Sequence, residues 1–392
     1  MGAAGIIVEY NPLHSGHLRL LEAGRAALGP DTAMVCVMSG NFVQRGDFAL
    51  LRKHARARAA VESGADLVLE LPLPWAVASA EGFAAGGVQA LAATGVVEHL
   101  LFGSECGDVS ALERVAAALL APSFRDRLRE ALPGAVSFAA ARQRALTGLL
   151  PEEDAALLES PNNILGIEYC KAILAQHTPL TPFALPRLGA AHGGGAGEHA
   201  GTPMTSASFL RSLPQPDWEP FVPARAAELY GKAAAEGLLL DGAKFETAIL
   251  TLLRMQDPEN FAQVRGVSEG LENRLAAAVR EANSMDDLYT RLKTKRYPHA
   301  RLRRLVLDAA LQLPAELPMP PYLHVLGARK TALPRLKRAT LPAGTALADL
   351  VRSSAEAEKI GRLHSKATDF SSLCREKIQP MGLAFTAKAV VI

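Results

Sequence analysis

His14 and His17, two imidazoles bracketing Ser15 and Gly16, are the side chains of this sequence best suited to chemistry. They follow an apolar run, Ile6 to Val8, and an Asn11-Pro12 turn, and they open a helical pattern. A strand, turn and helix in that order put a helix N-terminus above the strand, where backbone N–H groups and the positive end of the helix dipole favour an anion. Gly16 lets the backbone approach a phosphate without a Cβ in the way. Imidazoles can donate to the oxygens that gain charge when an α-phosphate is attacked. The expected chemistry is ATP binding and nucleotidyl transfer. The plainer alternative, two histidines decorating a helix start or half of a metal site, leaves the preceding strand and turn without a purpose.

Other segments supply groups for the same chemistry. Ser39 to Gly46 follows a second apolar run and sets Gln44 and Arg45 on a tight loop. Arg52-Lys53-His54-Ala55-Arg56 opens a helix with positive charge, which opposes the dipole unless an anion neutralises it. Lys53 is therefore assigned to the triphosphate or pyrophosphate and counted as catalytic with His14 and His17. In Thr205 to Arg211, Ser206 or Ser208 can cap a helix and Arg211 can clamp phosphate oxygens, making them candidate phosphate or acetate contacts. An ordinary capped helix is the alternative there. Gly103 would let an adenosine approach closely, whereas Asp66 and Glu70 read as turn and edge residues of a buried strand. Arg291 to Arg304 holds seven Lys or Arg and no acid, although the whole chain has a net charge of only +2.

Alternating elements must position these groups. Strands are expected at Gly5 to Val8, Ala33 to Met38, Asp66 to Leu71 and His99 to Phe102. Helices are expected at His17 to Ala27, Arg52 to Ser63, Ala78 to Ala93 and Val109 to Leu120. That alternation predicts an α/β fold with a doubly wound parallel sheet, ligands lying beyond the carboxyl ends of its strands. A strand-like piece, Phe183 to Leu188, follows a helix at Ile164 to Leu174, and a glycine-rich loop spans Gly193 to Gly197. From about Pro223 the composition turns to Ala, Leu, Glu and Arg. The expected organisation is a catalytic domain over residues 1–222, with a helical insert at about 109–150, and a second, mainly helical domain over 223–392. The 392 residues contain 49% hydrophobic and 21% charged positions, ordinary values for a globular chain. Four scattered cysteines without a CxxC pair, and an N-terminus lacking a leader pattern, point to the reduced cytoplasm. No apolar run is long enough for a membrane span, and no metal-ligand cluster is evident.

Several motifs taken together resemble the bacterial tRNA(Met) cytidine acetate ligases, members of the HIGH-type nucleotidyltransferase-like superfamily with its Rossmann fold. They are Val8 to His17, Met38 to Gly46, Gly64 to Pro72 and Pro161 to Gly166, followed in the helical half by Glu269 to Arg274, Leu292 to Tyr297 and Pro321 to Gly327. The resemblance implies that ATP activates acetate to acetyl-adenylate with release of pyrophosphate. The acetyl group then passes to N4 of the wobble cytidine of elongator tRNA(Met). It implies ATP contacts along the whole turn and helix start, Ile7, Val8, Glu9, Tyr10, Asn11, Pro12, Leu13, His14, Ser15, Gly16, His17, Leu18, Arg19 and Leu20, and at Gly103, Asn162 and Arg187. Mg²⁺ would accompany the ATP. Lys293, Lys295, Arg296, Arg301, Arg303 and Arg304 then become candidate contacts to the tRNA backbone, with Tyr297 available for stacking. Two alternatives compete with the ligase. A coenzyme-type adenylyltransferase would have no use for the basic helical half, and a non-catalytic tRNA-binding protein would have none for His14 and His17.

Overall fold

A computed structural model describes residues 2–135, 137–186, 197–199, 202–268, 270–316 and 318–392. The apolar runs of β1, β2 and β5 become strands buried along their whole length, as a sheet covered on both faces requires. The first half carries β1 (Ala3–Val8), β2 (Ala33–Ser39), a small hairpin of β3 (Phe42–Val43) and β4 (Asp47–Phe48), β5 (Leu67–Leu71), β6 (Val97–Ser104) and β7 (Thr181–Pro186). A second small hairpin pairs β8 (Gly197–His199) with β9 (Thr202–Met204). Later come β10 (Leu323–Ala328), β11 (Ala343–Gly344) and β12 (Val390–Val391).

The helices between them are α1 (Ser15–Leu28), α2 (Lys53–Glu62), α3 (Leu73–Ala76), α4 (Ala80–Ala92), α5 (Val109–Leu120), α6 (Pro122–Ala131), α7 (Phe138–Leu146), α8 (Glu152–Ala156) and α9 (Pro161–Gln176). There follow α10 (Ala207–Ser212), α11 (Ala224–Ala235), α12 (Gly242–Arg254), α13 (Leu271–Glu281), α14 (Met285–Leu292) and α15 (His299–Ala310). The C-terminal region adds α16 (Leu347–Leu350), α17 (Ala355–Leu373) and α18 (Leu383–Thr386). Among the described residues no helix is long and apolar enough to cross a membrane.

The main sheet runs β11-β10-β5-β2-β1-β6-β7, with β12 also paired to β10. From β1 the chain passes to β2 and β5 on one side and to β6 and β7 on the other, all parallel. The order therefore reverses at β1, opening a crevice above the carboxyl ends of β1 and β6, where such folds bind ligands. One strand of the mainly helical second half departs from the expected parallel sheet. Leu323 to Ala328, every residue buried, joins the sheet as β10, antiparallel to β5. Its pairing is with a strand some 250 residues earlier, which nothing local in the sequence signals.

The two halves also share a core. Phe42 and Phe48 of the first hairpin pack with Leu253, Leu275 and Leu305 from the helical region and Phe370 of α17. Phe48 meets Phe245 edge-on with ring centroids 3.5 Å apart. Gly46, at φ +72°, lies so close to α15 that a Cβ there would stand 2.4 Å from the Arg304 nitrogen. The hairpin is thus wedged between the sheet edge and the basic helix.

Candidate active site

Val8 ends β1, and the chain turns through Glu9 to Leu13 before α1 begins. Side chains from distant segments hold that turn. Arg211 of α10 donates to the Asn11 carbonyl at 2.7 Å, and the Tyr230 hydroxyl of α11 accepts from the Leu13 amide at 3.1 Å. The Asn11 side chain donates to the Phe48 carbonyl and accepts from the Leu50 amide. Tyr10, buried at φ +47°, sets its ring 5.0 Å from that of His17.

The two histidines cap α1 reciprocally. His14 is the N-cap and its Nδ1 accepts from the Gly16 amide at 3.1 Å; His17 Nδ1 accepts from the His14 amide at 3.2 Å. A neutral imidazole that accepts at Nδ1 carries its proton at Nε2. Both rings, with centroids 3.8 Å apart, are thereby fixed as Nε2–H donors. At this helix start the Gly16 amide is directed to the His14 ring and the His17 amide to the His14 carbonyl.

The glycine-bounded loop after β2 is the first hairpin. The Gln44 amide donates to Glu9 Oε1 at 2.7 Å, and the Gln44 side chain donates to the Ala78 carbonyl at 3.2 Å. Gln44 therefore anchors the loop, while Arg45 is exposed at its tip. Arg56 of α2, fully buried, donates to the carbonyls of Glu9, Ser39 and Gly40 and ties the ends of β1 and β2 together. Burial pushes the Glu9 pKa up against the Gln44 amide and the charges of Arg211, Arg45 and Arg56. Ser206 caps α10 through the Phe209 amide and pairs with the Ser208 hydroxyl at 3.0 Å. Ser206 thus serves the plain capping role, and it is Arg211 that reaches the turn before α1.

On the β6 side of the crevice, Gly103 lies near the end of the strand, followed by a reciprocal clasp onto α9. Glu105 accepts from the Asn162 amide and side chain and from the Asn163 amide. Asn163 Oδ1 accepts in return from the amides of Glu105 and Cys106. Although burial works the other way, the bonds from Asn162 and Asn163 hold the Glu105 carboxyl below its ordinary value. Glu105 was not singled out by its sequence; its one signal is a carboxylate two residues beyond Gly103, and its partners lie 57 and 58 residues away. Arg187 lies outside the described residues, as do Gly193 to Ala196 of the glycine-rich loop.

Lys53 corrects the expectation of a phosphate contact. Its side chain is 2% exposed and its ammonium is shared among Glu70 Oε2 at 2.8 Å, Glu70 Oε1 at 2.9 Å and His364 Nε2 at 2.6 Å. His324 of β10 completes the cluster with Nδ1 2.8 Å from Glu70 Oε2. The charge at the start of α2 is neutralised from within, by the residue read as a mere strand edge. Burial would raise Glu70, yet His364 and Lys53 hold it well below the usual carboxylate range. Burial likewise pushes His364 down.

The basic stretch divides between α14, its following loop and α15. Tyr297, 7% exposed, lies under the Arg301 guanidinium, 4.6 Å from the ring centroid, so its face is covered rather than offered for stacking. Lys293 donates to the Tyr297 carbonyl, Arg303 meets Asp47 at 3.4 Å, and Arg304 points at the Gln44 carbonyl at 3.4 Å. Lys295 and Arg296 are exposed in the loop. Among the described residues no group of three or more His, Cys, Asp or Glu side chains could hold a metal ion.

Known proteins resemble this chain in sequence and fold. The family model for HIGH Nucleotidyl Transferase matches residues 1–383. The chain is 32% identical to the tRNA(Met) cytidine acetate ligase of Acetivibrio thermocellus, with 100% of both chains covered. It is 36% identical to the protein of that name from Caldanaerobacter subterraneus subsp. tengcongensis, with 95% of each covered. Among solved structures, Thermotoga maritima TmcAL bound with alpha-thio ATP superposes with a TM-score of 0.91 at 31% identity, and the apo form with 0.92, each over 100% of both chains.

Proposed function

The chain belongs to the HIGH nucleotidyl transferase family and, within it, to the tRNA(Met) cytidine acetate ligases, and from that premise we propose how its crevice performs the ligation. The enzyme is an ATP-dependent ligase. It activates acetate to acetyl-adenylate with release of pyrophosphate and acetylates N4 of the wobble cytidine of elongator tRNA(Met), in the cytoplasm where that tRNA is found. The observation that supports the reading is the reciprocal histidine cap at the reversal of strand order, which sets the two imidazoles side by side with ring centroids 3.8 Å apart.

In the first step an acetate oxygen attacks the α-phosphorus in line as pyrophosphate leaves. His14 and His17 donate to oxygens that gain charge, and because the cap fixes both rings beforehand, no reorganisation is needed as the charge develops. Ile7 to Leu20 form the floor and one wall of the ATP site, with Gly103 and Asn162 across the crevice. Arg45 and Arg211 supply positive charge for the acetate and the departing pyrophosphate. Magnesium accompanying ATP would supply further positive charge to the phosphates.

The second step joins a weak nucleophile, the exocyclic amine of cytosine, to a strongly activated acyl group, so positioning dominates. A single-stranded anticodon base can be splayed into such a crevice. Lys295 and Arg296, exposed on the loop before α15, are assigned to the tRNA backbone. Incubation of the full-length protein with ATP, labelled acetate and tRNA, followed by nucleoside analysis, tests the reading. Labelled N4-acetylcytidine is expected; its absence beside an active control enzyme rejects the ligase.

A further inference from the structure

Glu9 is the one carboxylate between Ile6 and His17, and neither activating acetate nor binding phosphate gives it a use. It stands directly beyond β1, half-buried, with Oε1 fixed by the Gln44 amide at 2.7 Å. The ionisable groups whose fields couple to it come from each neighbouring element: Arg211 from α10, Arg45 from the hairpin, Arg56 from α2 and Tyr169 from α9.

Transfer to cytidine releases a proton. The lone pair of the exocyclic amine is delocalised into the ring, so N4 gives up its proton only as the new bond forms, and an acceptor must be in place at that moment. His14 and His17 cannot serve while their Nδ1 atoms accept backbone amides and their protons sit at Nε2. Arg45 and Arg211 are cations. Asp47 faces Arg303, and Glu105 is bound to Asn162 and Asn163. Glu9 remains.

Resting on the ligase reading above, we propose that Glu9 accepts the N4 proton in the transfer step. The cytidine N4 bonds to the acetyl carbonyl carbon. The bond from that carbon to the phosphate oxygen breaks, its electron pair leaving on AMP. The N4 proton passes to the Glu9 carboxylate and then to water. Holding Oε1 on the Gln44 amide leaves Oε2 as the accepting atom.

Full-length wild type, Glu9→Gln and Glu9→Asp are each mixed with preformed acetyl-adenylate and tRNA(Met), and single-turnover transfer is followed from acid to alkaline pH. Acetate-dependent exchange of pyrophosphate into ATP reports the first step in parallel. Glu9→Gln keeps the size and the acceptor for the Gln44 amide but cannot take the proton. Its transfer is expected to slow about 100-fold, within the usual range for a lost general base, and at least about tenfold more than its exchange slows. Wild-type transfer should fall on acidification as Glu9 protonates; that limb should vanish in Glu9→Gln and persist, at a lower rate, in Glu9→Asp. The proposal is overturned if Glu9→Gln transfers at the wild-type rate, retains the acid limb, or loses exchange and transfer in equal proportion, the last marking a residue that only shapes the nucleotide site. If the wild type itself makes no N4-acetylcytidine, it is the ligase reading that fails.

Discussion

The turn before α1 and the Lys53 cluster each combine two histidines with a glutamate and lie about 10 Å apart across the sheet, beyond strands separated by one neighbour. In the turn, backbone amides hold the side chains: Gly16 and His14 donate to the two imidazoles and Gln44 to Glu9. In the cluster, side chains hold one another. Lys53, Glu70, His324 and His364 are each at most 4% exposed and satisfy their charges internally. Gly40 seals the lid, since a Cβ there would stand 2.5 Å from Glu70 Oε1. A backbone partner positions a group and leaves its outward atoms for a ligand, whereas a side-chain partner of opposite charge consumes it. The first arrangement is the one proposed as the site; the second is a strut joining α2, β5, β10 and α17.

The largest effect expected from this contrast is on stability. Glu70→Ala strands the Lys53 ammonium in the interior without its counter-charge, and losses of about 3–5 kcal/mol follow when one partner of a buried pair is removed. Denaturant unfolding measures it. If the variant unfolds like the wild type yet has lost adenylate formation, the cluster belongs to the active site and the contrast fails.

His17→Ala should do the opposite. Removing one preorganised donor costs about 10²–10³ in rate, read as acetate-dependent pyrophosphate exchange, while the lost half of the helix cap costs stability only about 1 kcal/mol. Exchange at the wild-type rate would show that the reciprocal cap is structural.

These two variants also show what the sequence could and could not convey. The turn was legible because its logic is local: apolar strand, His14, Gly16 and His17 within twelve residues. The cluster was not, because Glu70 meets residues 254 and 294 positions later on β10 and α17, and no spacing encodes those meetings. Lys53 shows the same limit: the positive charge at the start of α2 is evident in the sequence, whereas its partner Glu70 comes from another strand. Tyr297 beside basic residues resembled a stacking platform, although Arg301, one helical turn on, was the residue that would cover it. The clasp of Glu105 on Asn162 and Asn163 joins segments 57 and 58 residues apart, a meeting that the weak signals at Gly103 and Asn162 do not encode.

Acid should separate the regions further. Burial depresses His364 below its ordinary value of 6.5, and its partners depress Glu70 below 4.5. For both groups the unfolded chain binds more protons over the affected range, so unfolding free energy falls as pH falls. The His364 contribution should begin to disappear below about pH 6.5 and that of Glu70 below about pH 4.5, continuing to their folded values. Unfolding midpoints measured from pH 7 to 4 should decline in the wild type, and His364→Gln should flatten the upper part of that decline. A pH-independent midpoint would mean that the cluster does not carry the charges assigned to it.

The smallest effect concerns the basic stretch, where the same distinction divides cations of one short segment. Arg303 and Arg304 lean on the Gln44 to Asp47 hairpin, and that hairpin holds Glu9, so their loss should disturb the crevice as well as any RNA contact. Lys295 and Arg296 are exposed. Each neutralised phosphate contact changes the slope of log affinity against log salt by nearly one, with a modest and sequence-independent loss of binding. Lys295→Ala combined with Arg296→Ala should therefore weaken tRNA binding several-fold at moderate salt and flatten its salt dependence by between one and two. Arg304→Ala should instead lower adenylate formation measured without tRNA. Should the double variant leave the salt slope unchanged, the tRNA backbone runs elsewhere on the molecule. Should Arg304→Ala change only the slope, its guanidinium leaves the hairpin when RNA binds, and the boundary between site and strut shifts on binding.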